Sequence, residues 1–197
     1  MGITSADLSA ALQRIAREAE ASRADLCAAD AQLGDGDLGI TVAEGFAACA
    51  ALDLPEDVGR AFFDMAKAFQ MASSSSFGTL VATGMMTAAK ALKGETALAP
   101  DQIPALVAQA RDAMMARGKA SLGEKTVLDG LDAQATALAR AAPGDHLSSA
   151  LSAAEAVVET FRSQPNRAGR ARIFSEKSIG LPDPGQLALV VITRGLS

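Results

Sequence analysis

An all-α fold is predicted, on three observations. Apolar residues recur with the 3.6-residue period of a helix along most of the chain. Hydrophobic types make up 49% of the residues but aromatics only 4%, with no Trp and no Tyr. Such a core is aliphatic and alanine-rich, which suits close-packed helices better than a sheet. The links between the periodic segments are short, as in a helix bundle.

Eight helices follow from the pattern. The first places Leu8, Leu12, Ile15 and Ala19 on one face, with Ser5 as its N-cap, and runs to about Cys27. The second begins near Gly39 and carries Val42 and Phe46. The third covers residues 57–71 and the fourth roughly 78–92. Pro100-Asp101 opens a fifth that reaches about Arg117, since proline is favoured in a first turn. The sixth runs from Lys125, through Val127, Leu128 and Leu131, to Pro143-Gly144. The seventh runs from Leu147 to about Ser163. The eighth follows Asp183-Pro184 and carries Leu187, Val190 and Val191. The β-branched run Val190–Ile192 could form a strand, but the Asp-Pro start before it favours a helix. The longest irregular stretch, 164–182, contains Ile173, Phe174, Ile179 and Leu181, which suggest that it packs down.

Length and composition bound the function. A chain of 197 residues is expected to form one domain spanning 1–197. Two Cys rule out a disulfide scaffold, and one His removes histidine-cluster mechanisms. His146 reads as a surface residue at a helix start. Cys27 and Cys49 read as reduced thiols packed as small hydrophobes, and Met85, Met86, Met114 and Met115 as core. With 18 basic and 23 acidic residues the net charge is −5, and no basic stripe offers itself to a nucleic acid. No apolar run reaches the ~18 residues of a membrane helix. The start, MGITSADLSAALQR, lacks the pattern of a signal peptide. The expected location is cytoplasmic, without nucleic-acid or membrane partners.

The densest chemistry lies in Asp30 to Gly39. Gly34-Asp35-Gly36-Asp37-Leu38-Gly39 satisfies G-x-G-x-x-G, but a helix rather than a strand precedes it, so it is no dinucleotide fingerprint. Two aspartates in the turn would repel a pyrophosphate directly. A divalent cation between them converts that repulsion into attraction, and three carboxylates within eight residues suit Mg²⁺ with phosphate oxygens. A calcium EF-hand does not fit, because position 12 counted from Asp35 is Phe46. The plainer alternative is a capping turn, with Asp37 as N-cap of the second helix.

Three further segments carry signals. Ser73–Ser76 is either a flexible link or a ligand-contacting turn. Gly118 to Thr126 resembles a phosphate-binding P-loop, but Glu124 stands between Gly123 and Lys125 and no strand precedes it, so that motif is rejected. It is either a helix–helix linker or a glycine turn that wraps a nucleotide with backbone N–H groups. Gly169 to Gly185 places basic residues on a loop before a helix N-terminus, as a solvated charged loop or a phosphate holder.

In order and spacing, these segments resemble the nucleotide-binding (L) subunit of dihydroxyacetone kinases, the DhaL type. The family pattern is a helical Asp and G-D-x-D-H-G-x-N, a turn ending S-G-x-L, then G-K-A-x-x-G-D-K-T, then G-R-A-x-x-x-G-E-R-S-I-G-x-x-D-P-G. Here Asp30 precedes GDGDLGIT, followed by SSSSFGTL, GKASLGEKT and GRARIFSEKSIGLPDPG. The resemblance covers essentially the whole chain.

It implies an eight-helix antiparallel up-and-down barrel with ADP or ATP at one end, held through two Mg²⁺ ions. Asp30, Asp35 and Asp37 would be the metal ligands. Leu38, Gly39, Ile40 and Thr41 would line the phosphates, and Ser76 and Phe77 would approach phosphates or ribose. Gly118 and Val127 would border the base, while Arg170, Asp183, Pro184 and Gly185 would close over the nucleotide. The implied activity is phosphoryl transfer to an alcohol group of a small ketose or polyol, with no catalytic base from this chain. A DhaK-like subunit would hold the acceptor, and the donor would be ATP or a phosphotransferase-system protein acting on bound ADP. Leu38 stands where the family has His, Thr41 for Asn, Phe77 for Ser, Ser175 for Gly and Lys177 for Arg. These departures point to a divergent sugar or polyol kinase. The alternative they favour is a regulatory module that binds Mg-nucleotide and docks on another protein without turnover; a third reading is a purely structural bundle.

Overall fold

The computed structural model describes residues 2–197. Among them are nine α-helices: α1 (Ser5–Ala21), α2 (Arg23–Asp30), α3 (Leu38–Ala50), α4 (Val58–Ala72), α5 (Ser76–Ala91), α6 (Ile103–Gly118), α7 (Val127–Leu138), α8 (His146–Arg162) and α9 (Pro184–Arg194). Short 3₁₀ segments lie at Pro100–Gln102, Pro143–Asp145 and Arg170–Ser178. Two two-residue strands, β1 (Ile3–Thr4) and β2 (Ala97–Leu98), pair antiparallel with Ile3 opposite Leu98. The extra helix arises at Ser22, where the predicted first helix breaks and α2 restarts to end at Asp30.

Helix α1 packs on α3, and each helix from α3 to α8 packs on the next. α9 packs on α8, α7 and α1, and α2 lies against α3 and α9. No helix among the described residues is long and apolar enough to cross a membrane.

Local chemistry sets the ends. Thr4, not Ser5, caps α1: its hydroxyl accepts from the Asp7 N–H while the Asp7 carboxylate accepts from the Thr4 N–H, a reciprocal box. The Ser5 hydroxyl instead donates to the Pro55 carbonyl. Asp57 caps α4, and Ser75 caps α5 by accepting from the Gly78 N–H. Residues 73–76 therefore form a hydrogen-bonded turn, in which the buried Ser73 hydroxyl donates to Thr41 Oγ1 at 3.3 Å.

The core has two main parts. Leu12, Ile15, Val42, Phe46, Phe69 and Val191 form one, with the Phe46 and Phe69 rings edge-to-face at 5.2 Å. Met114, Val127, Leu128, Val158, Leu189 and Val190 form the other. α9 feeds both, so it is apolar on nearly every side, which explains the β-branched run that resembled a strand. The Cys49 thiol is buried in the first part, and burial pushes its pKa up to about 12, so it behaves as an inert hydrophobe. His146 is buried at the start of α8 rather than exposed, although the 3₁₀ turn before it, Pro143–Asp145, has no buried residue. Ile173 is 77% exposed and Ile179 47%, so the segment between α8 and α9 packs through other groups than its isoleucines.

The first turn of α3 meets α2 at close range. A Cβ at Gly39 would lie 2.0 Å from the Arg23 carbonyl oxygen and 2.8 Å from Cys27 Sγ. Backbone cannot yield there as a flexible side chain could. Gly39→Ala is therefore expected to destabilise the protein by roughly 2 kcal/mol or more, read as a lowered urea midpoint at unchanged slope. An unchanged midpoint would show that α2 and α3 can separate freely.

Candidate functional site

A cavity of about 900 Å³ opens at one end of the helices, a size suited to a small-molecule ligand. Its walls come from the turn after α2, the starts of α3, α5, α7 and α9, the end of α6, and residues 168–174. Four helix N-termini thus border one space, each carrying partial positive charge. Three of them carry side-chain caps, from Ser75, Thr126 and Asp183. The fourth, α3, has none: Asp37 sits at its cap position but makes no capping hydrogen bond. The capping alternative for Asp37 is therefore not realised.

The acidic turn is built by its glycines. Asp30 ends α2, and its Oδ2 accepts from the N–H groups of Gly36 (2.9 Å) and Asp37 (3.1 Å), folding the turn back over it. Gly36 has φ +77°, a conformation that favours glycine, and a Cβ at Gly34 would lie 2.7 Å from Asp30 Oδ1, crowding the carboxylate that the turn encloses. The wrap brings one carboxylate oxygen each of Asp30, Asp35 and Asp37 within 4.8 Å of one another. Three like charges at that separation repel strongly without a cation. Arg170, from the segment across the cavity, forms an ion pair with Asp35. The donor set, three carboxylates with open cavity beside them, fits hard divalent cations that keep positions for phosphate oxygens.

The opposite wall is held by a buried polar network. Lys125 is fully buried and has φ +60°. Its Nζ donates to the carbonyls of Gln164 (2.8 Å), Ser178 (2.9 Å) and Arg162 (3.4 Å). Burial pulls its pKa down, partly offset by the attraction of Asp183. Asp183 caps α9 through the Gln186 N–H (2.9 Å) and accepts from Asn166 Nδ2 (2.8 Å). Burial pushes the Asp183 carboxyl up to about 6 despite those hydrogen bonds. Asp129 accepts from the N–H groups of Gly123 and Thr126, shaping the turn before α7.

Of the residues singled out in the sequence, twelve border the cavity: Asp30, Asp35, Asp37, Leu38, Ser76, Phe77, Gly118, Val127, Arg170, Asp183, Pro184 and Gly185. Gly39, Ile40 and Thr41 lie off it. Gly39 packs on α2, Ile40 faces outward at 39% exposure, and Thr41 is buried beside Ser73. The cavity also takes in Ser75, Thr126 and Arg172, which lie in the segments flagged by the sequence, and Thr79 and Arg117, which sequence reading did not select. Arg117 looks like any basic residue closing a helix, and Asn166 carries no local signal because its partners come from three separate turns.

The family model for the DAK2 domain matches residues 32–197. The chain is 30% identical over 204 residues to the triokinase/FMN cyclase of Rattus norvegicus, covering 99% of this chain and 35% of that protein. It is 31% identical over 183 residues to the L-erythrulose 1-kinase of Mycolicibacterium smegmatis, covering 89% and 32%. This chain spans about a third of the length of those two relatives. It is 25% identical over 177 residues to the ADP-binding subunit DhaL of the PEP-dependent dihydroxyacetone kinase of Escherichia coli, covering 85% and 84%. The crystal structure of the C. freundii dihydroxyacetone kinase in complex with AMP-PNP and Mg²⁺ superposes with a TM-score of 0.75 at 25% identity, over 100% of this chain and 34% of that one.

The raised pKa of Asp183 makes a pH-dependent contribution to stability. Its folded value of about 6 lies above the ordinary 3.8, so folding takes up a proton between those values. The contribution is fully present below about pH 4 and lost as pH rises through 6. At pH 7 the loss is on the order of 3 kcal/mol. Asp183→Asn keeps an oxygen for the cap and cannot ionise. Its stability relative to the parent protein should therefore improve between pH 4 and pH 7, measured by urea unfolding at both; a difference independent of pH would contradict the assignment.

Proposed function

The chain belongs to the DAK2-domain family, and on that premise we propose that it is the nucleotide-binding component of a phosphotransferase acting on an alcohol group of a small ketose or polyol. In this reading residues 1–197 form one domain, its eight principal helices arranged as an antiparallel up-and-down barrel with α2 as a continuation of α1. A DhaK-like subunit or domain would hold the acceptor, and the donor would be ATP or a phosphotransferase-system protein acting on bound ADP. The observation that carries the reading is the meeting, in one cavity, of three converging carboxylates with the starts of four helices. Acidic side chains and helix N-termini attract opposite partners, and a metal–polyphosphate complex satisfies both.

Asp30, Asp35 and Asp37 would hold two Mg²⁺ ions. Once bound, such cations neutralise charge on phosphate oxygens and align them for transfer. The chain's own residues then have separate tasks. The uncapped start of α3 and the Ser75-Ser76 turn would present N–H and hydroxyl donors to phosphate. Leu80, Val127 and Leu128 would give the apolar surface a purine ring needs, with Gly118 bordering it, Leu38 on the phosphate side and Phe77 toward phosphates or ribose. Arg170 would add positive charge from the far wall, and the Asp183-Pro184-Gly185 start of α9 would close the site. No base is required of this chain, because phosphoryl transfer depends on alignment and charge more than on a protein nucleophile. The kinase names of the relatives and the AMP-PNP and Mg²⁺ in the C. freundii complex support this reading.

A second reading rests on Leu38 and Phe77, apolar residues on a wall that would face phosphates. It makes the chain a regulatory module that holds Mg-nucleotide and docks on another protein without transfer. Phosphoryl transfer to dihydroxyacetone or erythrulose in the presence of an acceptor-binding subunit separates the two.

Asp35→Asn and Asp37→Asn should each abolish Mg-dependent ADP binding in calorimetric titration while helical circular dichroism stays unchanged. Unaltered affinity would refute the metal assignment. Phe77→Ser should retain binding within about tenfold, or ~1.4 kcal/mol; complete loss would mean that the aromatic ring itself builds the nucleotide pocket.

A further inference from the structure

The segment between α8 and α9 supplies one wall of the cavity with residues 168–174, yet it is fastened at its two roots, away from that wall. The roots are 162–167 and 178–180. Gly180 N–H donates to the Arg162 carbonyl at 2.8 Å, which brings the roots together. Arg167 N–H donates to the Glu124 carbonyl at 2.9 Å, which ties them to the turn before α7. Asn166 adds three more links: its N–H to Ser178 Oγ (2.8 Å), and its Nδ2 to the Lys125 carbonyl (2.7 Å) and to Asp183.

Lys125 lies at the centre. An ammonium group has three N–H donors. All three here have carbonyl acceptors: Arg162 and Gln164 on one root, Ser178 on the other. Lys125 does not border the cavity, so its position is that of an internal fastening and not of a phosphate contact. A buried cation is expensive unless its hydrogen bonds are made. The same logic applies in reverse: removing it leaves the Gln164 carbonyl without this donor and the Arg162 and Ser178 carbonyls with only the Gly180 and Leu181 N–H groups.

We propose that Lys125 is a positioning residue: a buried ammonium that pins both roots of the 164–180 segment and so holds Arg170 and its neighbours against the acidic turn. The proposal rests on the nucleotide-binding reading above for its consequence, but its first test does not. Without the pin, the segment loses three of the hydrogen bonds that fasten its roots while the helices keep their own packing. The loss of order is therefore local.

The test is hydrogen–deuterium exchange on the unliganded full chain, comparing the parent protein with Lys125→Met and Lys125→Gln. The glutamine variant keeps two donors and serves where the methionine variant does not fold. Amides of 164–181 should exchange about tenfold faster or more in either variant, while those of α3, α4 and α5 keep their parental protection. Parental exchange throughout 164–181, or an increase spread evenly over all helices, would overturn the proposal. Calorimetry with Mg-ADP follows. A folded variant with a loosened segment should bind at least about tenfold more weakly than the parent protein. Parental affinity would overturn the positioning role. A parent protein that itself fails to bind Mg-ADP would instead overturn the functional reading, leaving the exchange result to judge the pin.

Discussion

Three carboxylates held within 4.8 Å of each other form the constraint around which this end of the molecule is arranged. Such a cluster is stable only with positive charge close by. The fold supplies it in two forms: the starts of α3, α5, α7 and α9 border the same cavity, and the Arg170 guanidinium reaches Asp35 from the far wall. The turn that brings the aspartates together depends on two glycines. Gly36 takes a left-handed conformation, and Gly34 leaves space for the Asp30 carboxylate that the turn encloses. Charge and backbone geometry are therefore set by the same eight residues.

The opposite wall uses different physics. Its order comes from buried, hydrogen-bonded polar groups: the Lys125 ammonium among carbonyls, Asn166 between Lys125 and Asp183, and Asp129 beneath the turn before α7. Buried polar groups of this kind define one arrangement because any other leaves them unpaired. The cavity thus has one side that needs a cation and another whose shape is fixed before a ligand arrives. That division is in keeping with the proposed role of aligning a charged ligand.

Much of this was legible in the chain. The helical period located the bundle, and the Asp-Gly alternation revealed a carboxylate turn because few other patterns need glycine beside each acid. What was missed depended on contacts distant in sequence. The break at Ser22 has no Pro or Gly to announce it. Thr4 outcompetes Ser5 as a cap because Asp7 lies three residues after it. Gly39 serves α2–α3 packing and Thr41 a hydroxyl contact with Ser73, roles that neighbouring residues do not disclose. Lys125 was read only as the start of a helix after a glycine turn; the approach of the ends of α8 and the 3₁₀ segment is what shows that its ammonium points into the protein.

The central question is whether the acidic turn and a polyphosphate share cations. A crystal structure with ADP and Mn²⁺, read by anomalous scattering, tests this directly. The predicted result is metal signal ligated by Asp30, Asp35 and Asp37 and by phosphate oxygens in the same cavity. Aspartates turned to solvent, with no anomalous signal between them at saturating metal and nucleotide, would contradict it.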